Sequence, residues 1–231
     1  MAIEDYNATI KSIEEISKDT RIFKLELDKG IDFRAGQYIT FILEENGKKF
    51  TAPYSIASTP LENKTIEFAI KLVNSGGVTS HLWNKKEGDV LKLKGPMGGF
   101  GIKESKKEKI VFIGTGTGIA PFRSMIKELI ENETEKNLTL IFGERFEDEV
   151  LFEEEFQELE SQNKNFKFIK VISKPTENYK GKTGHVQENL EEIDTSNSDA
   201  YICGNPKMVE EVNQKLIDKG MSKESIFFEK Y

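Results

Sequence analysis

Three glycines with a regular spacing are the residues whose type and position most directly suggest chemistry. They lie in the stretch IVFIGTGTGIAPFRSM, where Gly114 ends an apolar strand and Gly116 and Gly118 follow it. Pro121 comes where a helix is predicted to begin, in the position that suits the first helical residue. Glycines there let a backbone approach a pyrophosphate, and the helix N-terminus offers free N–H groups and a positive dipole end.

The spacing is G-x-G-x-G, which differs from the dinucleotide fingerprint G-x-G-x-x-G because position 119 is Ile. Taken alone, the stretch fits a nucleotide-binding turn or a glycine-rich turn without a ligand. No Gly-Lys-Ser/Thr follows, which argues against a P-loop NTPase.

Two further positions carry chemically useful side chains. The uncharged stretch TAPYSIAST at 51–59 sets Tyr54 beside Ser55 in a chain that is 32% charged. Cys203 follows an apolar strand in YICGNPKMV, at the carboxyl end of a predicted parallel strand, where ligands bind in such sheets. Without other motifs, Tyr54 and Ser55 fit an ordinary strand and Cys203 fits a packed small apolar residue.

The elements that must position these residues follow two patterns. Up to about residue 101 the chain reads as short strands with period-2 hydrophobicity: TIKSIEEIS, TRIFKLELD, QYITFILEENGKKFTAPYSIAS, KTIEFAIKLV and DVLKLKGPMG. Asn46-Gly47 is a strong hairpin signal. Many short strands without helices predict an antiparallel barrel.

From residue 109 strands alternate with helices. Strands are predicted at KIVFIG, LTLIFG, FKFIKVIS, DAYICG and SIFFEKY, and helices at PFRSMIKELIENE, VLFEEEFQELES and PKMVEEVNQKLIDKG, with a short helix around VQENLEEI. This alternation predicts a doubly wound parallel sheet. The charged segment KESKKEK at 103–109 is the predicted hinge, and it divides the chain into domains 1–102 and 103–231.

Composition excludes several classes of protein. A net charge of -7 argues against a dedicated nucleic-acid binder, and no apolar run approaches the length of a membrane span. The N-terminus MAIEDYNATIKSIEE has no signal-peptide core, so a cytoplasmic location is expected. The single cysteine, Cys203, excludes an intrachain disulfide, a Cys₄ zinc site and a Cys-ligated iron–sulfur cluster. No metal ligand is assigned, and redox chemistry would need an organic cofactor or a partner.

Nearly the whole chain resembles the ferredoxin–NADP⁺ reductase superfamily, because several of its motifs occur here in the family's order. PYSIAST resembles the R-x-Y-S/T stretch, GGVTSHLW the Gly-x-x-Ser/Thr phosphate motif, and EGDVLKLKGPMGGF the strand and turn that close the barrel. GTGTGIAPFRSM matches the NAD(P) pyrophosphate loop, YICGNPKMV the nicotinamide-side Cys-Gly motif, and EKY the Glu-x-Tyr ending of plant-type members. The resemblance implies a six-stranded FAD-binding β-barrel followed by an NAD(P)-binding α/β domain, with NADPH or NADH as substrate.

The resemblance assigns residues around the reacting flavin ring. Tyr54 would lie against the isoalloxazine and Ser55 would hydrogen-bond near flavin N5. Tyr231 would stack over the flavin, and Glu229 would be a proton-relay carboxylate near Ser55. The implied catalytic residues are therefore Ser55, Cys203, Glu229 and Tyr231. A frayed terminus and a solvated carboxylate remain the alternative readings of Tyr231 and Glu229.

The phosphates and the adenosine would lie further along the chain. Residues 70–74 would face the adenosine half of FAD, and Gly76 with Thr79, or Gly77 with Ser80, would bind its pyrophosphate. The second register is preferred because GVTS matches the plant-type GVCS at three of four places. The full set of implied cofactor-binding residues is Tyr54, Ser55, Ile70, Lys71, Val73, Gly76, Gly77, Val78, Thr79, Ser80, Gly116, Thr117, Gly118, Pro121, Arg145, Ser173, Lys174, Lys182, Cys203, Gly204 and Tyr231.

The choice between NADPH and NADH stays open at this stage. A 2′-phosphate needs Arg or Lys, whereas a free 2′-OH often meets an acid. Arg145 lies amid four acids in ERFEDEV, and Ser173, Lys174 and Lys182 lie where the resemblance places phosphate-binding groups. These cations fit an NADPH site and equally fit surface charge.

One residue departs from the family pattern. The arginine that precedes x-Tyr-Ser, and that pairs with the flavin phosphate in the family, is Ala52 here. A charged hydrogen bond of this kind contributes roughly 1.5–3 kcal/mol. FAD is still expected to bind, either more weakly or through Lys71 or the 76–80 loop, and replacement by another flavin form is the remaining alternative.

The expected reaction is hydride transfer from nicotinamide C4 to flavin N5, followed by release of one or two electrons to an acceptor. Because the sequence contains no iron–sulfur domain, a separate ferredoxin or flavodoxin is the expected carrier. The acidic chain opposes an acidic carrier unless Lys85, Lys86 and their neighbours form a basic face. The alternatives are a free-flavin or ferric-chelate reductase, and a non-catalytic electron-relay or regulatory subunit of a larger redox complex.

Overall fold

A computed structural model of the chain describes residues 2–45, 47–73 and 78–230. By their packing these residues form two compact units. The first contains the residues up to Ile102 together with Ala120–Glu128, and the second contains Lys103–Ile119 together with the residues from Leu129 onward. Each unit is described separately.

The first unit is built on an antiparallel six-stranded sheet with the order β4-β3-β6-β1-β2-β5. Its strands are β1 (Glu4–Ser17), β2 (Thr20–Leu27), β3 (Tyr38–Glu45), β4 (Lys48–Ser55), β5 (Thr65–Lys71) and β6 (Val90–Met97), and a short helix, α1, spans Val78–Trp83. The end strands β4 and β5 contact each other, so the sheet curls toward closure. The predicted antiparallel sheet is confirmed in this curled form.

Alternating side chains explain why this sheet curls around one core. On β2, Phe23, Leu25 and Leu27 are buried while Glu26 between them is exposed. Phe41 and Phe68 are fully buried in the same core and meet edge to face, with ring centroids 4.9 Å apart. Burial of each such side chain contributes roughly 1.5–3 kcal/mol, which fixes the register of the strands that carry them.

The second unit is built on a parallel six-stranded sheet with the order β10-β9-β8-β7-β11-β12. Its strands are β7 (Lys109–Thr115), β8 (Asn137–Glu144), β9 (Phe166–Ile172), β10 (Lys182–Thr183), β11 (Ser198–Gly204) and β12 (Ile226–Lys230). The helices are α2 (Ile119–Glu131), α3 (Glu153–Gln162) and α4 (Pro206–Asp218). The predicted parallel α/β sheet is confirmed. Of α2, only Ile119 and Leu129–Glu131 belong to this unit, whereas Ala120–Glu128 belong to the first.

Both faces of the parallel sheet are covered. On one face, Val111 of β7 and Ile202 of β11 share a core with Val209 and Val212 of α4. On the other face, Phe156 of α3 packs against aromatic side chains of β9. Because both faces of these strands are buried, their sequences are the continuous apolar runs noted above.

Two details of the second unit differ from the sequence-based expectation. The stretch VQENLEEI forms only one 3₁₀ turn, Val186–Glu188, because Asn189 leaves helical geometry after it. Pro121 is the third residue of α2 and not the first, because a 3₁₀ turn at Gly116–Gly118 leads directly into a helix that begins at Ile119. Pro121 still lies in the first turn, where a backbone N–H has no helical partner.

The charged segment 103–109, predicted as a hinge, is hydrogen-bonded to the second unit. The Lys103 N–H donates to the Tyr201 hydroxyl at 2.8 Å. The Lys107 ammonium donates to the Ser198 carbonyl at 3.0 Å and to the Ser225 hydroxyl at 2.7 Å. Lysine can lay its apolar stem along a protein surface while its ammonium binds polar groups, so a charge run need not be free in solvent.

Candidate active site

Tyr54 lies on a half-buried face of β4. Phe50, Ala52 and Tyr54 alternate along this strand and all pack against the core of the first unit. The Tyr54 ring meets Phe41 edge to face, with centroids 5.0 Å apart. Burial raises the pKa of Tyr54 to about 12, so its phenol stays neutral at physiological pH. The ring is therefore held in one place as an uncharged aromatic surface.

Ser55 ends β4 and is buried. It pairs with Tyr38 across the β3–β4 ladder, and the next residue, Ile56, donates its N–H to the Gln37 carbonyl at 3.0 Å. The following residues, 56–59, are all buried. The backbone on the carboxyl side of Ser55 is thus fixed by hydrogen bonds and packing.

The strand face around Ala52 is apolar. Ala52 lies opposite Phe41 in the ladder, and the ring of Phe50 lies 5.0 Å from the His81 ring of α1. Lys71, the substitute cation considered from sequence, is exposed and forms an ion pair with Asp19 at 3.4 Å. Lys71 is therefore already engaged by a neighbouring carboxylate.

The segment from Ile70 to Ser80 is only partly described, because Gly76 and Gly77 lie outside the described residues. The Ile70 side chain is fully buried in the core, which leaves only its backbone for a ligand. The Thr79 hydroxyl accepts from the Val73 N–H at 3.2 Å, while Ser80 is half-buried at the start of α1. Because the Thr79 hydroxyl is already bonded to Val73, the expected pyrophosphate register that uses Ser80 is favoured over the one that uses Thr79.

In the second unit, a glycine cradle lies at the carboxyl ends of β7 and β11. A Cβ on Gly118 would lie 2.4 Å from the Cys203 carbonyl oxygen, and one on Gly204 would lie 2.6 Å from the Thr115 hydroxyl oxygen. Gly116 has a φ of +57° and open space where a Cβ would be. These glycines let two backbone segments, 115–118 and 203–204, pack closely at the carboxyl ends of β7 and β11.

Cys203 and Glu229 are neighbours across the parallel β11–β12 pair. They share the sheet face on which Tyr201 stacks against Phe227, with centroids 4.9 Å apart. Cys203, the one cysteine of the sequence, is fully buried. Burial raises the pKa of the Glu229 carboxyl, and its Oε2 is buried with no hydrogen-bond partner among the described residues. An unpartnered buried carboxylate oxygen is an open position for a donor on a ligand.

The residues considered for the 2′-position divide into two groups. The Ser173 N–H donates to the Glu144 carbonyl at 3.0 Å and the Lys174 N–H to the Arg145 carbonyl at 2.9 Å, which brings these segments together. The Lys182 ammonium instead lies 4.0 Å from Glu192. The backbones of Arg145 and Lys174 are thus adjacent, whereas the Lys182 side chain lies toward the Glu192 carboxylate.

The sequence motifs did not single out Thr115, which the structure places beside the glycine loop. It ends β7, one residue before the glycine loop, and its hydroxyl oxygen borders Gly204. Its position directly after a buried strand was the available signal. Tyr231 lies outside the described residues, and Val78, Thr117 and Pro121 belong to the turns and helix starts described above.

Comparison with known proteins identifies both halves of the chain. The family described as "Oxidoreductase FAD-binding domain" matches residues 7–102, and "Oxidoreductase NAD-binding domain" matches residues 112–214. One component of the Na(+)-translocating NADH-quinone reductase of Methylococcus capsulatus is 30% identical over 99% of the chain and 68% of its own length. The chain belongs to the ferredoxin–NADP⁺ reductase superfamily.

Two other relatives have the same arrangement. The reductase component DmpP of phenol 2-monooxygenase from Pseudomonas sp. is 28% identical over 99% of the chain and 66% of its own length. The crystal structure of the Amycolatopsis cytochrome P450 reductase GcoB superposes with a TM-score of 0.89 at 27% identity, over 99% of this chain and 70% of that chain. The chain therefore spans about two thirds of the length of these relatives.

The chain therefore combines an oxidoreductase FAD-binding domain with an oxidoreductase NAD-binding domain, which bind FAD as cofactor and a nicotinamide nucleotide. The residues present fit these groups: Gly118 and Gly204 allow close backbone packing at the carboxyl ends of β7 and β11, and the buried Glu229 Oε2 has no hydrogen-bond partner among the described residues. Within the described ranges, no helix is both long and apolar enough to cross a bilayer. The same ranges contain no group of three or more His, Cys, Asp or Glu side chains arranged to hold a metal.

Proposed function

We propose that this protein is a reductase that takes a hydride from NADH or NADPH onto FAD and passes electrons to a separate protein carrier such as ferredoxin or flavodoxin. The proposed domains are 1–102 for FAD and 103–231 for the nicotinamide nucleotide. The observation that carries the proposal is the glycine loop beside Cys203 and Glu229, since on one unit it combines a strand-to-helix turn suited to a nucleotide with a carboxylate oxygen that has no partner among the described residues.

Bound FAD supplies the chemistry, because it accepts two electrons as a hydride and can release them one at a time. The chain supplies binding and orientation. Tyr54 offers a fixed, neutral aromatic surface for the flavin ring. Ser55 offers a hydroxyl that donates or accepts as the protonation of N5 changes.

On the nucleotide side, Gly118 and Gly204 let the backbone approach the pyrophosphate and the nicotinamide. Glu229 is proposed to hold or move a proton at its carboxylate, for which a raised pKa is suitable. Ser80 and the N–H groups near it are proposed to bind the FAD pyrophosphate, and Arg145 with Lys174 to lie near the 2′-position of the nucleotide.

The names of the relatives support the electron-carrier role. One is the reductase component of a monooxygenase, one is a cytochrome P450 reductase and one is a component of an NADH-quinone reductase. Each name describes a protein that delivers reducing equivalents within a larger redox system. We infer that this chain likewise reduces a separate acceptor.

Anaerobic stopped-flow measurements test the proposal. The FAD-loaded protein is mixed with NADH or NADPH, and loss of flavin absorbance near 450 nm is recorded in about the first second. Fast bleaching is expected, and the faster nucleotide identifies the physiological donor. Absence of bleaching with both nucleotides would contradict the proposed reaction.

A second mixing step sorts the acceptors. The reduced protein is mixed with ferredoxin, flavodoxin, cytochrome, free FMN or a ferric chelate, and reoxidation of the flavin is followed. Fast reoxidation by ferredoxin or flavodoxin supports the proposal. Fast reoxidation by only free flavin or ferric chelate would identify the alternative enzyme.

Ser55→Ala tests the role proposed for the hydroxyl. We expect FAD to remain bound and the rate of flavin bleaching to fall roughly 10²-fold or more. The reason is that the variant removes the hydroxyl proposed to exchange a proton with flavin N5. Ser161→Ala is the control, since Ser161 is exposed on α3 and its hydroxyl donates to the Glu158 carbonyl at 2.7 Å. An unchanged bleaching rate in Ser55→Ala would remove Ser55 from the mechanism.

A further inference from the structure

Arg123 is a buried cation among the mostly apolar buried side chains of α2. It is 7% exposed, and its neighbours Phe122, Met125 and Ile126 are fully buried. Its Nη1 donates to the Ala57 carbonyl at 3.0 Å and to the Glu67 carboxylate at 2.6 Å. All of these residues belong to the first unit. A guanidinium in this position is costly to bury unless its partners are fixed.

Glu67 is held on both sides. It lies on the outer face of β5, where its carboxylate also contacts the Lys24 ammonium at 3.3 Å. Arg123 and Lys24 lower the pKa of this carboxyl against the opposing effect of burial, so it is ionised at neutral pH. Arg123 therefore meets a permanent negative charge.

The same two residues fix the backbone that follows the flavin-binding strand. The Ala57 N–H donates to the Glu67 carbonyl at 2.8 Å, while the Ala57 carbonyl accepts from Arg123. The Glu67 N–H donates to the Ser58 hydroxyl at 3.2 Å. Both polar backbone groups of Ala57 are thus bound by the pair, two residues after Ser55 and three after Tyr54.

A buried ion pair is weak evidence for stability, since apolar residues of similar volume often serve as well. Its contacts with Ala57 show a second effect, which is the position that the pair imposes on its neighbours. We propose that Arg123 and Glu67 are positioning residues for the flavin site, which hold the backbone at Ala57 and thereby set the placement of Tyr54 and Ser55. This inference rests on the proposed function, because it takes β4 as the flavin-binding strand.

Arg123→Met combined with Glu67→Leu tests the inference, because no buried charge is left unpaired. The urea midpoint of the apoprotein is expected to stay near that of the wild type. The dissociation constant for FAD, measured by flavin fluorescence, is expected to rise about tenfold, as for loss of one charge-assisted contact. The visible circular dichroism of the bound flavin is expected to change. Wild-type FAD affinity and wild-type dichroism in this variant would overturn the inference.

Two further variants keep the result interpretable. Arg123→Lys retains the charge but not the planar fork, so it should weaken FAD binding less than the double variant does. If the double variant does not fold, Arg123→Lys carries the test, and unchanged FAD affinity and dichroism would overturn the inference. The control is Lys170→Met with Glu153→Leu, which removes an ion pair of 2.5 Å from the second unit and should leave FAD binding unchanged.

The wild type separates this inference from the proposed function. Failure of wild-type apoprotein to bind FAD contradicts the proposed function itself. FAD binding by the wild type, with affinity and dichroism unaltered in the variants, contradicts only the role of Arg123 and Glu67.

Discussion

The side chain of Ala52 is a methyl group that lies on the same face of β4 as the Tyr54 ring. The family pattern has an arginine there, whereas this chain has an apolar patch made by Phe41, Phe50 and Ala52. Lys71, the cation that the sequence offers as a substitute, forms an exposed ion pair with Asp19 at 3.4 Å. The FAD phosphate is therefore expected to depend on the backbone and hydroxyl groups at the start of α1.

Ala52→Arg should tighten FAD binding by about tenfold or more, because a guanidinium adds a charged hydrogen bond to the phosphate. The measurement is a titration of apoprotein with FAD followed by fluorescence. Thr51→Arg is the matched control, since Thr51 is exposed on the opposite face of the same strand. Equal affinities in both variants and the wild type would mean that the phosphate lies elsewhere.

Glu229 should make stability depend on pH in a defined direction. Burial raises the pKa of its carboxyl above the ordinary 4.5, so the native state binds the proton more tightly than the unfolded chain does. The protonated Glu229 carboxyl contributes fully to the free energy of unfolding below the ordinary, unfolded-state pKa of 4.5. This contribution is lost as the pH rises through the raised native-state pKa. Glu229→Gln should therefore match the wild type near pH ~4 and become relatively more stable above it.

Urea unfolding at several pH values checks this expectation. Glu224→Gln is the control in the same unit, because a hydrogen bond from Ser222 lowers the pKa of Glu224. The contribution of Glu224 is present above its unfolded pKa and is lost as pH falls, so its variant should be relatively less stable at neutral pH. A stability difference for Glu229→Gln that does not vary with pH would argue against the raised pKa.

The glycine loop after β7 shows that one element can need glycine for two reasons. Gly116 adopts a left-handed φ of +57° in open space, whereas Gly118 leaves no room for a Cβ beside the Cys203 carbonyl. The first requirement concerns local conformation and the second concerns packing between β11 and the start of α2.

Gly118→Ala should weaken nucleotide binding more than Gly116→Ala does. A Cβ at Gly118 displaces the backbone, and loss of one hydrogen bond to the pyrophosphate already costs about tenfold in affinity. Gly116→Ala meets no atom, so its expected cost is the roughly 1–2 kcal/mol of a left-handed alanine in the free energy of unfolding. Titration with NADH and NADPH, together with urea unfolding, separates the two effects. Equal losses of affinity would contradict the packing argument.

The whole molecule carries a net charge of -7. Like charges slow association at low salt, and salt screens that repulsion. The rate of electron transfer to an acidic ferredoxin should therefore rise as ionic strength increases from about 0.01 M to about 0.15 M. The rate to a basic cytochrome should fall over the same range. A ferredoxin rate that falls with salt would instead reveal a local basic docking face.

Much of the fold and part of the site could be predicted from local patterns. The strand positions followed from alternating or continuous apolar residues, and the alternation of strands and helices predicted the parallel sheet. The short helix predicted around VQENLEEI is limited to the 3₁₀ turn Val186–Glu188, and its apolar residues Val186 and Leu190 are buried in a core that the sheet shares with α4. The position of Pro121 was wrong by two residues because 3₁₀ and α geometry merge at that boundary.

By itself, the sequence determined the two-part architecture and the chemical types at the site, because periodicity and glycine spacing are properties of neighbouring residues. Only the tertiary structure decided which polar groups are already engaged. Lys71 is paired with Asp19, Lys182 lies toward Glu192, and Arg123 binds Glu67 and Ala57. These pairings join residues far apart in the chain, so their distances depend on the packing of whole elements and not on any local pattern.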